Sequence, residues 1–221
     1  MRRNWAVRFL ALPWAVFSAA AFAAVAPDAL PTPIPTRQDY FSIPFRLDPS
    51  APGAADVIEV QLHLSTDRGA TWRLAQRVDP QARQFTFRAT DDGEYWFSIH
   101  TLGRGGPLRP DRPEQPGLRV VVDTTPPVLQ LQASRGKGGE IVARWLIEEP
   151  NLKPDGLTLQ YRTNPYQPWQ TIALDRSKLN AAGGTSAGET SWWPQVTFER
   201  MEIRAEATDT AGNTAVSHAQ L

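Results

Sequence analysis

Short segments in which apolar and polar residues alternate one by one are the feature of this sequence that most limits its fold. Clear examples run from 41 to 47, from 58 to 64 and from 95 to 100. Alternation at a period of two puts all the apolar side chains of an extended segment on one face, whereas an amphipathic helix needs a period of 3.6. The chain should therefore form many half-buried β-strands whose apolar faces pack against each other.

Clusters of proline and glycine separate these strands into groups. Four prolines predict an extended leader over 27–39 that acts as a spacer without a core of its own. Pro126 and Pro127 lack a backbone donor, so we expect a strand to end before them and a stiff linker over 124–127. A stretch rich in alanine, glycine and serine, 176–191, is expected to be a loop.

The two halves on either side of this linker resemble each other weakly. When Trp72 is aligned with Trp169, the residues before them match at their apolar positions, which indicates a repeat of about 97 residues. A single β-sandwich has about that length. The sequence therefore predicts an all-β protein with two tandem antiparallel β-sandwich domains, over 40–123 and 128–221.

The N-terminal residues have the layout of a secretory signal peptide. Basic residues precede an apolar stretch from Phe9 to Val25, and small residues at its end suit a signal peptidase. We therefore expect a signal peptide over 1–26 and an exported protein, located in the periplasm, at the cell surface or outside the cell. After the signal, no segment is long and apolar enough to span a membrane.

The signal peptide has two candidate cleavage sites, after Ala23 and after Ala26. Cleavage after Ala26 would leave Pro27 first, which signal peptidases disfavour, so the site after Ala23 is preferred. An uncleaved membrane anchor is the alternative. Pro13 interrupts the apolar stretch and its alanine-rich end is weakly hydrophobic, which favours cleavage.

The segment Asp91-Asp92-Gly93-Glu94-Tyr95-Trp96-Phe97 resembles the Asp-x-Gly-x-Tyr-x-Cys corner of immunoglobulin-like and fibronectin type III-like domains. The resemblance implies that both domains are immunoglobulin-like sandwiches. It also implies that the Tyr95 hydroxyl binds backbone upstream, at the corner that begins with Asp91, and that Phe97 fills the core where the family often has a cysteine.

Two motifs in the second half resemble the start and end of the bacterial immunoglobulin-like repeats of exported surface proteins. They are Asp-Thr-Thr-Pro-Pro at 123–127 and Asp-x-Ala-Gly-Asn at 209–213. The resemblance implies that Asp209, Gly212 and Asn213 form the last hairpin turn. Glycine and asparagine tolerate positive φ, which such a turn requires.

Residues 65–72, Ser-Thr-Asp-Arg-Gly-Ala-Thr-Trp, resemble the Asp-box of sialidase-like propellers. In that family the motif is a structural hairpin turn that lies away from the catalytic centre. The resemblance implies that Asp67 accepts backbone N–H groups, that Gly69 permits a tight bend and that Trp72 packs beneath it. A propeller would need several copies, and the sequence has one.

The composition excludes several kinds of chemistry. The 23 basic and 23 acidic residues balance and form no basic stripe, so we expect no nucleic-acid partner. Without cysteine, the chain has no disulfide, thiol nucleophile or cysteine-ligated metal. His63, His100 and His218 stand alone without a metal-ligand or catalytic spacing, and no cofactor motif occurs. We predict no catalytic residues, no metal and no cofactor.

Three acidic residues near one turn leave open a second interpretation, that of a calcium site or a catalytic site. Glu148, Glu149 and Asp155 are close in sequence and could hold calcium or act as an acid and base, although a solvated turn explains them as well. Asp209 with Asn213 could likewise bind calcium, but the hairpin turn already accounts for both.

Tryptophans are the candidate ligand-binding residues. Trp96 lies on the polar parity of its strand, and Trp192 and Trp193 adjoin each other near a proline. Exposed aromatic rings stack on sugars and anchor protein interfaces, although these rings could also pack within the protein. The sequence predicts a non-enzymatic binding or scaffolding protein of the envelope, with a protein or polysaccharide partner. The alternatives are a secreted carbohydrate-active enzyme, or an accessory carbohydrate-binding module, and a plain structural spacer.

Overall fold

The computed structural model of this chain describes residues 8–9, 30–51, 53–107, 115–175 and 183–221. These residues form two compact units, Met1–Asp123 (unit 1) and Thr124–Leu221 (unit 2). Nearly all of their regular structure is β-strand, with two short 3₁₀ turns at Ala54–Asp56 and Pro80–Ala82. In the described part of the chain, no helix is long and apolar enough to cross a membrane.

The described residues of unit 1 form nine strands. They are β1 (Arg8–Phe9), β2 (Ile34–Thr36), β3 (Tyr40–Arg46), β4 (Val57–Ser65), β5 (Arg73–Val78), β6 (Gln84–Arg88), β7 (Gly93–Gly103), β8 (Gly106–Pro107) and β9 (Leu118–Val122). One sheet has the order β1-β3-β6, and the other has the order β2-β9-β7-β4-β5 with β8 beside β7. Of the expected signal peptide, the structure describes only the two residues of β1, Arg8 and Phe9. Both of its cleavage sites lie outside the described residues.

The core of unit 1 is built from the apolar faces that the alternation predicts. Phe97 on β7 is fully buried, and its ring lies edge-on to Phe41 and Phe87, with ring centres 6.2 and 4.9 Å away. Edge-to-face contacts of this kind stabilise aromatic cores beyond the area that they bury. The apolar residues of β3, β4, β6, β7 and β9 together form one continuous cluster between the sheets.

The proline-rich leader is part of unit 1 and does not act as a spacer there. β2 lies within it and pairs in parallel with β9, and the Asp123 amide donates to the Thr36 carbonyl at 2.9 Å. Since successive residues of a strand direct their backbone groups to opposite sides, Pro35 has its missing donor on the side away from β9. The expectation of a leader without structural contacts was wrong because proline at alternate positions leaves one edge able to pair.

Unit 2 is a second sandwich, made of two sheets. One has the order β10-β11-β14 and the other has the order β13-β12-β15-β16, with antiparallel pairing throughout. The strands are β10 (Val128–Arg135), β11 (Ile141–Glu148), β12 (Leu152–Arg162), β13 (Gln170–Ile172), β14 (Thr185–Trp192), β15 (Glu202–Asp209) and β16 (Thr214–Gln220). Both units are thus antiparallel β-sandwiches apart from the parallel β2–β9 pair.

The stretch expected to be a loop contains most of a strand of unit 2. Within 176–191, residues 176–182 lie outside the described residues, but Thr185 begins β14. Gly188 on this strand faces Trp145 of β11, whose ring occupies the space that a Cβ would need. Glycine and other small residues in this strand leave room in the core for the large ring of Trp145. Composition alone predicted a loop because the same small residues are also typical of flexible connections.

A proline substitution tests the role of β2. Thr36→Pro removes a backbone donor on the side facing β9, so we expect the free energy of unfolding of unit 1 to fall by about 1–2 kcal/mol. Thr36→Ala is the matched control, since it also loses the hydroxyl that accepts from Gln38 but keeps the backbone donor. Urea unfolding, with hydrogen exchange of the unit 1 amides, measures both. Equal stability of the two variants would contradict pairing of β2 with β9.

Candidate functional site

The turn between β4 and β5 is closed by the Asp67 carboxylate. It accepts hydrogen bonds from the Thr71 amide at 2.9 Å, the Thr71 hydroxyl at 2.6 Å and the Ser65 hydroxyl at 2.7 Å. The two bonds from Thr71, and then that from Ser65, stabilise the charged form and lower the pKa of Asp67 to about 2. The carboxylate therefore works as an acceptor that shapes the hairpin.

Gly69 lets this turn lie against two tryptophans. Its φ of +86° is a left-handed conformation that favours glycine, and a Cβ there would come 3.0 Å from Trp96 and 3.8 Å from Trp72. Trp72 is half-buried beside the turn. The turn thus covers part of Trp96, although that ring lies on the outward parity of β7.

Trp96 does not present its ring to solvent, contrary to the expectation from its parity. Its side chain is 7% exposed, its Nε1 donates to Glu94 at 2.8 Å, and the Arg119 guanidinium lies 4.9 Å from the ring centre. A cation over the ring face and a turn over its edge cover the surface that a ligand would need. The period of a strand predicts on which face of the sheet a side chain lies, but it does not predict which neighbouring side chains cover it.

The carboxylate of Glu94 interacts with three side chains around this ring, those of Trp96, Arg119 and Arg68. Arg119 Nε donates to it at 2.8 Å, and Arg68 Nε lies 3.5 Å from its other oxygen. Burial raises the pKa of Glu94, but hydrogen bonds from Trp96 and Arg119 and the charges of Arg119 and Arg68 outweigh it and hold the pKa below its ordinary value. Arg119 also donates to the Pro31 carbonyl at 3.1 Å, which fastens the leader to β9.

The corner residues of β7 form a local hydrogen-bonded unit. The Tyr95 hydroxyl donates to the Asp91 carbonyl at 2.7 Å and accepts from the Asp91 amide at 3.3 Å. Its ring packs edge-on against Phe87 within the core, with centres 5.3 Å apart. This ties the loop before β7 to the start of the strand, so the Asp91 backbone and the Tyr95 side chain together shape the corner.

Asp209 organises the turn between β15 and β16. One carboxylate oxygen accepts from the amides of Gly212 at 2.7 Å and Asn213 at 2.8 Å, and the other accepts from the Asn213 side chain at 2.7 Å. The residue is only 1% exposed. A buried carboxylate is tolerated when N–H donors surround it, so these three residues form one closed polar unit.

The acidic residues grouped by sequence have different surroundings in the fold. Glu148 is exposed on β11, whereas the Asp155 carboxylate on β12 lies 3.8 Å from the ammonium of Lys153. Glu149 is 5% exposed, and a carboxylate oxygen of it lies within 4.8 Å of one of Asp209. A solvated turn therefore fits Glu148 and Asp155 but not the buried Glu149. Glu149 and Asp209 are 60 positions apart, and no sequence pattern connects them.

Two histidines that seemed isolated in sequence are stacked. His63 on β4 and His100 on β7 have ring centres 4.1 Å apart, on the sheet face away from the core. Gln61 lies 3.3 Å from His63 Nε2, and Ser98 lies 3.1 Å from His100 Nε2. The register that places Gln61 opposite His100 creates this pair, and such a register between distant strands cannot be read from one strand's pattern.

The two adjacent tryptophans have different environments because side chains alternate along β14. Trp192 is half-buried, packs on the core of unit 2 and has its ring centre 5.7 Å from that of Tyr161. Trp193 is 66% exposed. Its ring rests on the backbone of the β10–β11 turn, where a Cβ on Gly138 or Gly139 would lie 3.6 or 3.5 Å from it. Of the three candidate tryptophans, Trp193 alone presents a largely open ring.

An open groove of about 580 Å³ on unit 2 is lined in part by the β10–β11 turn, the same turn that lies beside Trp193. The residues around it come from the β10–β11 turn, from β11 and β14, and from the segment after β13. They include Lys137, Glu140, Arg144, Asp175, Glu189, Thr190 and Ser191. The Glu140 side chain lies over the same glycine turn that supports Trp193. Sequence analysis did not identify this groove, because its residues come from distant parts of the chain.

Other exposed apolar side chains lie at the same end of unit 2. The Tyr161–Trp192 contact shows that the β12–β13 connection and the residues after β14 emerge from one end of the sandwich. In that connection Tyr166 is 96% exposed, and after β14 Val196 is 55% exposed. The turn carrying Tyr166 is held by bonds from the Tyr166 and Gln167 amides to Asn164. We call this the aromatic end of unit 2.

Comparison with known proteins gives similarity in fold. No family model matches the chain, and no curated protein matches it. Among solved structures, the FN1–FN3 domains of chicken CNTN1 are 11% identical over 88% of this chain and 67% of that chain, with a TM-score of 0.39. The fibronectin(III)-like modules of CbhA from Clostridium thermocellum are 13% identical over 88% and 90%, with a TM-score of 0.42.

A two-domain fibronectin type III segment of chicken tenascin is also similar, at 12% identity over 87% of this chain and 95% of that chain, with a TM-score of 0.35. At such identities a likeness concerns the fold alone. The chain is thus an all-β protein of tandem β-sandwich units.

The titration of Asp67 tests the geometry of the β4–β5 turn. We expect its pKa at about 2, below the ordinary value of 3.8. Because the folded pKa is the lower one, the stabilisation is complete above about pH 4 and is lost as the pH falls towards 2. Thr71→Val removes the strongest donor and should raise the pKa, as followed by NMR of the carboxyl carbon. Thr66→Val is the control, and an unshifted pKa in Thr71→Val would contradict the described bonds.

Removal of the Asp209 carboxylate tests the β15–β16 turn. Asp209→Ala leaves the Gly212 and Asn213 amides without their acceptor, so we expect the free energy of unfolding to fall by about 2–4 kcal/mol. Chemical denaturation measures the change. Thr210→Ala, at an exposed position in the same turn, is expected to stay within about 0.5 kcal/mol of the parent. A similar effect of both substitutions would show that the carboxylate does not organise the turn.

Proposed function

We propose that this chain is an exported, non-catalytic binding or scaffolding protein of the bacterial cell envelope or its surroundings. The observation that carries the proposal is Trp193, a large aromatic side chain that is 66% exposed on a supported surface. An exposed tryptophan ring offers a large apolar surface of the kind that stacks on sugars and anchors protein interfaces. The aromatic end of unit 2 is the surface that meets the partner.

The way Trp193 is held supports a binding role. The glycine turn beneath it contacts one side of the ring, and Trp192 next to it is anchored in the core of unit 2. A ring that is already fixed loses little conformational freedom when a ligand covers it. Tyr166 is similarly exposed on a turn held by Asn164, so the aromatic end offers rigid contact area.

The conspicuous carboxylates have structural tasks, which supports a role other than catalysis. Asp67 closes a hairpin through Thr71 and Ser65, and Asp209 accepts three N–H groups in its turn. Glu94 is engaged by Arg119 and Trp96. General acids and bases need access to a substrate, whereas these groups are directed to their own backbone and neighbours.

Co-sedimentation with isolated bacterial envelopes tests the proposal. The full chain should pellet with envelope fragments that contain both protein and polysaccharide, and Trp193→Ala should reduce the bound fraction roughly tenfold or more, as for a central aromatic contact. Val216→Ala on β16 is the control outside the aromatic end, since it removes an exposed apolar side chain without a ring. Equal binding by all three proteins, or no binding by the parent, would overturn the proposal.

A further inference from the structure

We propose that the ligand of the aromatic end is a neutral, hydroxyl-rich polysaccharide, with one sugar ring stacked on Trp193 and neighbouring sugars in the adjoining groove. This inference rests on the proposed function and names the chemistry of its ligand. Three properties of the surface lead to it: a supported flat ring, a polar groove beside that ring, and mixed charge along the groove.

The supported ring is the first property. A sugar ring presents a flat patch of C–H groups, and it gains most from an aromatic surface that is open on one side and fixed on the other. Trp193 has this form because its six-membered ring lies beside Gly138 and Gly139, so close that an added Cβ at either position would be in van der Waals contact with it.

The polar lining is the second property. In the β11–β14 register, Ser191 pairs with Val142 and Glu189 pairs with Arg144, so their side chains point to the same face of the sheet. That face and the β10–β11 turn supply hydroxyl, carboxylate, ammonium and guanidinium groups around the groove. A protein anchor would need an apolar pocket, whereas sugar hydroxyls need donors and acceptors in close succession.

The mixed charge is the third property. The Arg144 guanidinium lies 2.9 Å from the Glu189 carboxylate, so these two groups largely offset each other within the groove. Lys137 is likewise close in sequence to Glu140, with both residues beside the groove. A polyanion or polycation would meet repulsion from one member of each pair. A neutral sugar can both donate to the carboxylates and accept from the cations, so it suits this lining.

Affinity gel electrophoresis of the full chain tests the ligand class. The gels contain one soluble polysaccharide each: neutral glucan, mannan, galactan or xylan, anionic polygalacturonate, or cationic chitosan. We expect at least one neutral polysaccharide to retard the parent and the charged ones to do so far less. Retardation by the charged polymers alone, or by none of the six, would overturn the inference.

Variants locate the site and separate stacking from structure. Trp193→Ala should weaken binding to the retarding polysaccharide roughly tenfold or more, as for a central aromatic contact, whereas Trp193→Phe keeps a stacking ring and should retain most of it. Ser191→Ala should weaken binding by severalfold, and Val216→Ala, outside the aromatic end, should not. Urea unfolding of each variant verifies that its fold persists, which is expected because Trp193 is mostly exposed. Equal loss in Trp193→Phe and Trp193→Ala, or no loss in either, would contradict stacking.

The two proposals fail in distinguishable ways. If envelopes bind the parent through Trp193 but no neutral polysaccharide does, the binding role stands, the partner is a protein or a charged polymer, and the inference falls. If neither envelopes nor polysaccharides bind, both proposals fall together. Binding to a neutral polysaccharide that is unchanged in Trp193→Ala would place the site elsewhere and also overturn the inference.

Discussion

Contact between the apolar faces of two sheets is the interaction on which each unit of this protein depends. The chain has no cysteine, so no covalent bridge joins the sheets. Phe97 occupies the middle of unit 1 among other aromatic rings, and Trp145 lies in the core of unit 2 across Gly188. Burial of such large side chains therefore has to stabilise each sandwich without the contribution that a disulfide would add. The polar turns can then specialise because they need not hold the sheets together.

The period of the sequence predicts the inner faces of the strands well, because burial of one face is a local consequence of alternation. The resemblance of residues 91–97 to a known corner motif also predicted the contact of Tyr95, whose partner lies only four residues upstream. Prediction fails where the decisive neighbour is distant in sequence. Arg119 lies over the ring of Trp96, and the ring of Trp145 fills the space beside the glycine in β14. Carboxylate oxygens of Asp209 and Glu149 lie within 4.8 Å of each other. Such pairs depend on sheet register and topology, which a single strand's pattern does not contain.

The candidate site illustrates how a strand end combines stability with recognition. Trp192 and Trp193 are adjacent, so extended geometry sends one ring to the core and the other to the surface. The buried ring fixes the backbone at the point from which the exposed ring projects. The sequence indicated the pair as candidates, but not which of them would be open, because that depends on the parity of a strand expected to be a loop. The groove beside Trp193 needed the fold of the whole unit.

The parallel pairing of β2 with β9 has a mechanical consequence. A tensile load between the chain before Ile34 and the chain after Asp123 pulls these two neighbouring strands in opposite directions along their length. The hydrogen bonds of that ladder, including the one from Asp123 to Thr36, then resist in shear and share the load rather than opening in turn. Arg119, which holds Pro31, extends this resistance beyond the ladder. A load applied between these two points therefore acts on β2 and β9 in shear along their whole ladder.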